Sequence, residues 1–119
     1  MATDPLFASE VEARAVVGLL GLADPRVTER LENHLVEYGE LLITVLLGDL
    51  AKEAFAESVG GELVRCVNWL LIVGSPSVRN VLLTGFVEGV PLDVDEARVR
   101  QLPNPLRNQV QRDLGQPQT

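Results

Sequence analysis

The stretch LLITVLLGDLAKE, residues 41–53, decides how the chain is read. At 100° per residue, Leu41, Leu42, Ile43, Val45, Leu46 and Leu47 surround a helix axis on nearly every side, so a central helix is predicted over 40–57 with its first two turns buried all round. Asp49 then poses a question. It stands three, four and seven residues after Leu46, Val45 and Leu42 and so continues an apolar stripe, while Leu50, Ala51, Ala54 and Phe55 hold the opposite side. Lys52, Glu53 and Glu57 share its own side. Asp49 is therefore expected to mark where the helix leaves a fully packed region for one that is wet on one face.

Working outward, capping oxygens next to prolines announce further helices. Asp4, Asp24, Ser75 and Asn104 precede Pro5, Pro25, Pro76 and Pro105; proline is tolerated at the first helical position because the amide it lacks would have had no partner there. Asp93 with Glu96, and Ser9 with Glu12, read as capping boxes, the second restarting the first helix. No NG or DG turn and no sustained alternation of period two supports a strand. Helices are predicted at about 6–21, 25–38, 40–57, 61–73, 76–89, 94–101 and 105–113. Their short connections imply an all-α fold, a single-domain bundle of five to seven helices over residues 1–119, with HEAT-like helical hairpins as one form of it. In the helix 25–38 the apolar stripe is Val27, Leu31, Leu35 and Tyr38, leaving Glu29, Arg30, Glu32 and Glu37 mostly in water. The termini, 1–5 and 115–119, are expected to fray.

A chain of 119 residues with 46% hydrophobic and 23% charged residues suits one globular domain with one core. The longest apolar run, WLLIV at 69–73, is far short of the roughly 20 residues that cross a bilayer, and the N-terminal MATDPLFASE resembles no secretory or transit peptide. A cytoplasmic protein without membrane contact is expected. Cys66 is the only cysteine, so it forms no internal disulfide and offers no zinc pattern; a buried, inert thiol is expected. The net charge is −7 and the isoelectric point about 4.6. Repulsion from phosphates argues against a nucleic-acid partner, whereas the same field draws in a cationic protein.

Catalytic equipment is sparse. His34 has no serine or cysteine near it in sequence, and the placement beside the stripe of its helix suits packing or hydrogen bonding. Ser9, Ser58, Ser75 and Ser77 fall at caps and loop ends. One histidine cannot supply the Glu-x-x-His pairs of a di-metal bundle, and Gly60 with Gly61 reads as a helix break, not a phosphate loop. Neither enzymatic activity nor a cofactor or metal is expected. Trp69 is expected in the core, and Gly85 with Gly89, flanking Phe86, at a close helix contact. In VRNVLLTGFVEGV a regular helical wheel puts Arg79 inside the apolar arc of Leu83, Phe86 and Val90, with Asn80, Thr84 and Glu88 as a polar strip. An arginine on a core face needs a carboxylate, which predicts that Asp49 pairs with Arg79 or caps the helix beginning at Pro76. The acidic set Glu29, Glu32, Glu37, Glu40, Glu53 and Glu57 is the best candidate surface for a basic partner.

The order GELL (39–42), GDL (48–50) and SPSVRNVLLTGFVEGV (75–90) resembles a family of small, acidic, all-helical bacterial proteins that read ELL…GDL and then VRN…SFVE. Several of its members are described as immunity proteins beside polymorphic or contact-dependent toxins. The likeness covers about residues 24–90 and, more loosely, PNPLRNQV. It singles out Gly39, Glu40, Leu41, Gly48, Asp49, Arg79, Asn80, Phe86 and Glu88, departs at Gly85 where the family has a small polar residue, and has no counterpart for the first 20 residues. The resemblance implies an immunity protein that binds and neutralises a cognate protein toxin. A toxin with a basic nuclease groove would suit the acidic surface, which would use Glu29, Glu32, Glu37, Glu40, Glu53 and Glu57 with Asn80, Thr84 and Glu88. The alternative is a HEAT-like adaptor with another protein partner, suggested by Ser75–Leu83. A homodimer is left open.

Overall fold

Asp24 and Ser75 each begin a helix in the computed structural model of the chain, which describes residues 5–57 and 61–117, with side chains from 11 to 56 and from 61 to 117. The described residues form seven α-helices: α1 (Pro5–Ala23), α2 (Pro25–Tyr38), α3 (Ile43–Glu57), α4 (Glu62–Val73), α5 (Pro76–Leu82), α6 (Glu96–Arg100) and α7 (Leu106–Leu114). A π-helical turn, Leu83–Val87, continues α5 directly, and no strand occurs among these residues. The fold is an all-helical bundle, as the pattern of caps and periodicities predicts.

The caps explain most starts and stops. The Asp24 carboxylate accepts from the Arg26 amide at 3.0 Å, and Ser75 Oγ accepts from the Val78 amide at 3.2 Å, each satisfying one orphan donor of a first turn. Other predicted caps are replaced. α6 starts at Asp95, whose carboxylate accepts from Ala97, two residues after the expected Asp93. α7 takes its first bond from another helix, Asn68 Oδ1 accepting from the Leu106 amide at 2.9 Å, so Asn104 is not its cap. α1 passes through Ser9 without a restart, and Glu12 instead accepts from the Ser75 hydroxyl at 2.6 Å. The expected cap Asp4, the loop residues Ser58 and Gly60 and the last two residues lie outside the described residues. Gly115 is not frayed: at φ +71° it closes α7, with Gln116 N–H on Gln111 O at 2.8 Å in a Schellman arrangement.

One core runs through the bundle, with Leu20, Leu47, Val67, Leu82, Phe86, Leu106 and Val110 all fully enclosed. α1 and α4 run antiparallel, fixed at one end by the Glu12–Ser75 bond and at the other by the Cys66 thiol donating to Leu19 O. α3 lies on the π turn at backbone-to-backbone distance. A Cβ on Gly89 would stand 2.5 Å from Gly48 Cα, and one on Gly85 would stand 2.8 Å from both Cβ and Cδ1 of Leu47. The expected close contact at Gly85 and Gly89 is thus present, with Gly48 as its third member.

Three expectations fail, two of them for reasons of phase. α3 begins at Ile43 instead of residue 40, so Leu41 and Leu42 belong to the connection, and Val45, Asp49, Lys52 and Ala56 form an exposed stripe. The helix is buried on one side only, and Asp49 continues its wet side. Arg79 is exposed as well. The wheel that buried it assumed regular turns across residues 79–90, but the π turn, with Glu88 N–H reaching back to Leu83 O, adds a residue to one turn and shifts the phase of those after it. The core side of α5 is then Val78, Val81 and Leu82. Trp69, expected in the core, is 52% exposed.

Two outcomes follow from this packing. Gly89→Ala should lower stability by about 2–3 kcal/mol and Gly85→Ala by somewhat less, because the first meets backbone and the second an enclosed leucine. Gly48→Ala, whose Cβ would have ordinary 3.9 Å contacts, should change stability by less than about 1 kcal/mol, and urea unfolding midpoints should reproduce that order. At α2, the Arg26 guanidinium, followed by the Arg26 amide, holds the half-buried Asp24 carboxyl below the usual carboxylate range despite some burial. A carboxyl depressed on folding contributes stability above its unfolded pKa, and that contribution disappears as pH falls through the folded value. Wild type should therefore exceed Asp24→Asn, which keeps a capping oxygen, near neutral pH, and the difference should vanish in acid below the usual carboxylate range.

Candidate protein-interaction site

α2 is the element on which the predicted site residues converge. Val27 and His34 are its buried residues, with Leu31 packed against the core; Leu35, expected on the inner stripe, is 42% exposed. The inner line is thus Val27, Leu31 and His34, which leaves Glu29, Glu32 and Val36 along the outer crest, all exposed. Val36 is 87% exposed, an apolar side chain set between acids.

The two flanks of α2 differ. Toward α1, Val17, Gly18, Gly21, Leu31 and Leu41 line an apolar cleft of about 290 Å³, opened by two glycines whose missing side chains leave room beside Thr28. Leu35 and Glu40 stand at its continuation along the α2–α3 connection. Toward α3, a smaller cavity of about 200 Å³ is lined by Arg30, Asn33, His34, Glu37, Leu46, Asp49 and Glu53. Arg30 Nε donates to Glu53 Oε2 at 2.7 Å, and this bond raises the already high pKa of the guanidinium. Glu53 is half-buried and engaged, so it is not the free surface acid the sequence suggests. Glu37 and Asp49 have no ion-pair partner among the described residues.

His34 is only 4% exposed. Its Nε2 accepts from the Leu42 amide at 2.9 Å, and its ring lies 4.7 Å from that of Tyr38 at 44°. Leu42 immediately precedes α3, so the imidazole serves a helix that it does not belong to by taking one of that helix's orphan donors. Accepting at Nε2 places the proton of the neutral ring on Nδ1.

The predicted pair of Asp49 and Arg79 does not form. α3 turns its Gly48 side to the π turn, and Asp49, about 100° further round, faces the α2 cavity. Ser75, not Asp49, caps α5. Asn80, Thr84 and Glu88 are exposed, with Thr84 Oγ1 donating to Asn80 O at 2.8 Å. They lie along α5 and its continuation, which packs on α1, α3, α4 and α7, whereas α2 packs on α1 and α3. The side chain of Glu57 lies outside the described residues. Cys66 is half-buried, and burial pushes its thiol pKa up, which lowers its thiolate fraction at neutral pH.

No group of three or more histidine, cysteine, aspartate or glutamate side chains among the described residues could hold a metal ion. Nor is any described helix long and apolar enough to cross a membrane. No protein-family model, curated protein or solved structure matches the chain.

The His34–Leu42 bond gives a direct test. His34→Ala removes the acceptor and the ring packing together and should cost about 2–3 kcal/mol. His34→Gln, which offers an amide oxygen, should recover part of that loss in urea unfolding. Equal losses in the two variants would show that only ring volume matters.

Proposed function

We propose that this chain is an immunity protein that binds and neutralises a cognate bacterial protein toxin in the cytoplasm, by covering a basic surface of the toxin and without chemistry of its own. The observation that carries this reading is the acidic exposed side of α2. Glu29, Glu32 and Glu37, with Glu40 just beyond the helix, are exposed and have no ion-pair partner among the described residues. Val36 and Leu35 of the same helix are exposed as well, and exposed Leu22 of α1 lines the cleft beside Leu31.

Uncompensated acids on one helix create a directed field that accelerates encounter with a cationic protein, and neighbouring apolar side chains supply contact energy once the surfaces meet. A toxin whose own substrate is a nucleic acid presents the required basic groove. The sequence resemblance to immunity proteins points the same way. The adaptor alternative has less support, since its helical-repeat segment, Ser75–Leu83, runs straight into a π turn.

Co-expression with the C-terminal domain encoded by the neighbouring gene tests the proposal. Growth rescue together with co-purification is the expected result, and survival without a stable complex would overturn it. Glu29→Lys combined with Glu32→Lys should slow association about tenfold at low salt and flatten its salt dependence, with a much smaller change in dissociation. Stopped-flow mixing at several ionic strengths measures both.

A further inference from the structure

We propose that the outward face shared by α1 and α4 is the interface of a symmetric dimer, with a second copy of the chain as its occupant. The two helices run side by side, tied by the Ser75 hydroxyl on Glu12 at one end and the Cys66 thiol on Leu19 O at the other. Their core sides are Val16, Val17 and Leu20 on α1 and Leu63, Val67 and Leu70 on α4. Away from the core, where solvated helices usually carry charges, α1 exposes Val11, Ala15 and Leu19, and α4 exposes Trp69, Ile72 and Val73. Steps of four along α1, and of three and four along α4, keep each set on one side of its helix. Apart from Ala15 these residues are between 40% and 58% exposed. Trp69 is the only tryptophan of the chain, a residue type that is on average well buried.

Area and charge together select the occupant. At ordinary side-chain areas the six residues expose roughly 500 Å² of mostly apolar surface, near the upper end of what a monomer leaves in water. Two copies then bury roughly 1,000 Å² before any rim is counted, the area at which specific association begins. The described charged side chains of α1 and α4 are Glu12 and Glu62 against Arg14 and Arg65, two of each sign, and Glu62 pairs with Arg65 at 2.8 Å. The chain as a whole carries −7. Copies of so acidic a chain repel one another over most of their surface, and a balanced apolar face is where they meet at least cost. A two-fold interface must also complement itself, a condition that an apolar face without net charge satisfies. A cationic toxin finds no acidic excess there, and a lipid surface finds no basic rim of the kind that interfacial helices carry. α2 lies on the other flank of α1, where Gly21 meets Thr28, so its acids remain outside the dimer interface.

Sedimentation equilibrium of the full chain over about 1 μM to about 500 μM tests the dimer. The mass is expected to rise from 13.0 kDa to twice that value, and the emission of Trp69, as the sole indole, to move to shorter wavelength with the same midpoint. Ile72→Glu on α4 and Val11→Glu on α1 should each weaken the dimer about a hundredfold or more, because each puts a like charge from both copies into one interface. Val36→Ser, on the exposed side of α2, should leave it unchanged. Urea midpoints of the two glutamate variants at about 1 μM, equal to that of dilute wild type, verify their fold. A monomer at every concentration, or a dimer that both glutamate variants leave intact, would overturn the proposal. So would a Trp69 shift of the monomeric chain on vesicles of phosphatidylglycerol and phosphatidylcholine, which would assign the face to lipid, or a toxin complex abolished by Ile72→Glu, which would assign it to the toxin. A dimer without growth rescue would remove the immunity reading alone.

Discussion

Between α3 and the π turn the two backbones come so close that one methyl group would not fit, a Cβ on Gly89 lying 2.5 Å from Gly48 Cα. Much of the arrangement depends on that contact. It goes with one rotation of α3 about its axis, in which the Gly48 backbone meets Gly89. Leu47 then packs onto Gly85, Leu46 and Leu50 enter the core, and Asp49 is carried to the side facing α2. The π turn is the matching half of the device. It buries Phe86 and presents Gly85 and Gly89 to Leu47 and Gly48 of α3.

The remaining elements are held by polar groups that cross between helices. His34 of α2 serves the amide before α3, Asn68 of α4 serves the first amide of α7, and the Arg98 guanidinium of α6 donates to Phe55 O near the end of α3. Each of these pairs satisfies a helix-end group that has no partner within its own helix. In a chain this small such bonds have a second effect. They tie the position of one helix to the end of another, so that docking geometry follows from hydrogen-bond satisfaction as well as from apolar contact.

Where the sequence was legible, the signal was local. Asp24 before Pro25 and Ser75 before Pro76 name both the cap and the first turn, and the spacing of Gly85 and Gly89 marks a close approach. Illegible features depended on partners distant in sequence or on a departure from regular turns. Nothing in the residues around Asn104 shows that Asn68 will cap α7. A wheel of uniform step cannot contain the π turn, and that one extra residue moved Arg79 from the core to the surface and dissolved its pairing with Asp49. For the site, the acids of α2 were found as exposed residues, but their division between a crest and a cavity depends on how α3 is rotated. His34 was read as a packing or hydrogen-bonding residue; its partner, Leu42, could be named only once the α2–α3 connection had folded back.

The choice that Arg30 makes among its neighbours then acquires meaning. Three carboxylates lie around one cavity with it, and like charges so placed repel one another. The arginine relieves this by engaging the most buried of them, Glu53, whose desolvated charge would otherwise be the most costly to leave alone. Glu37 and Asp49 remain open to water, where an unpaired carboxylate costs little. The compensation is therefore spent inward, on stability, and the outward charge is left over. With ten basic against seventeen acidic side chains in the chain, some acids must stay uncompensated, and it is their collection on α2, beside exposed apolar groups, that turns an excess of charge into a surface with a direction.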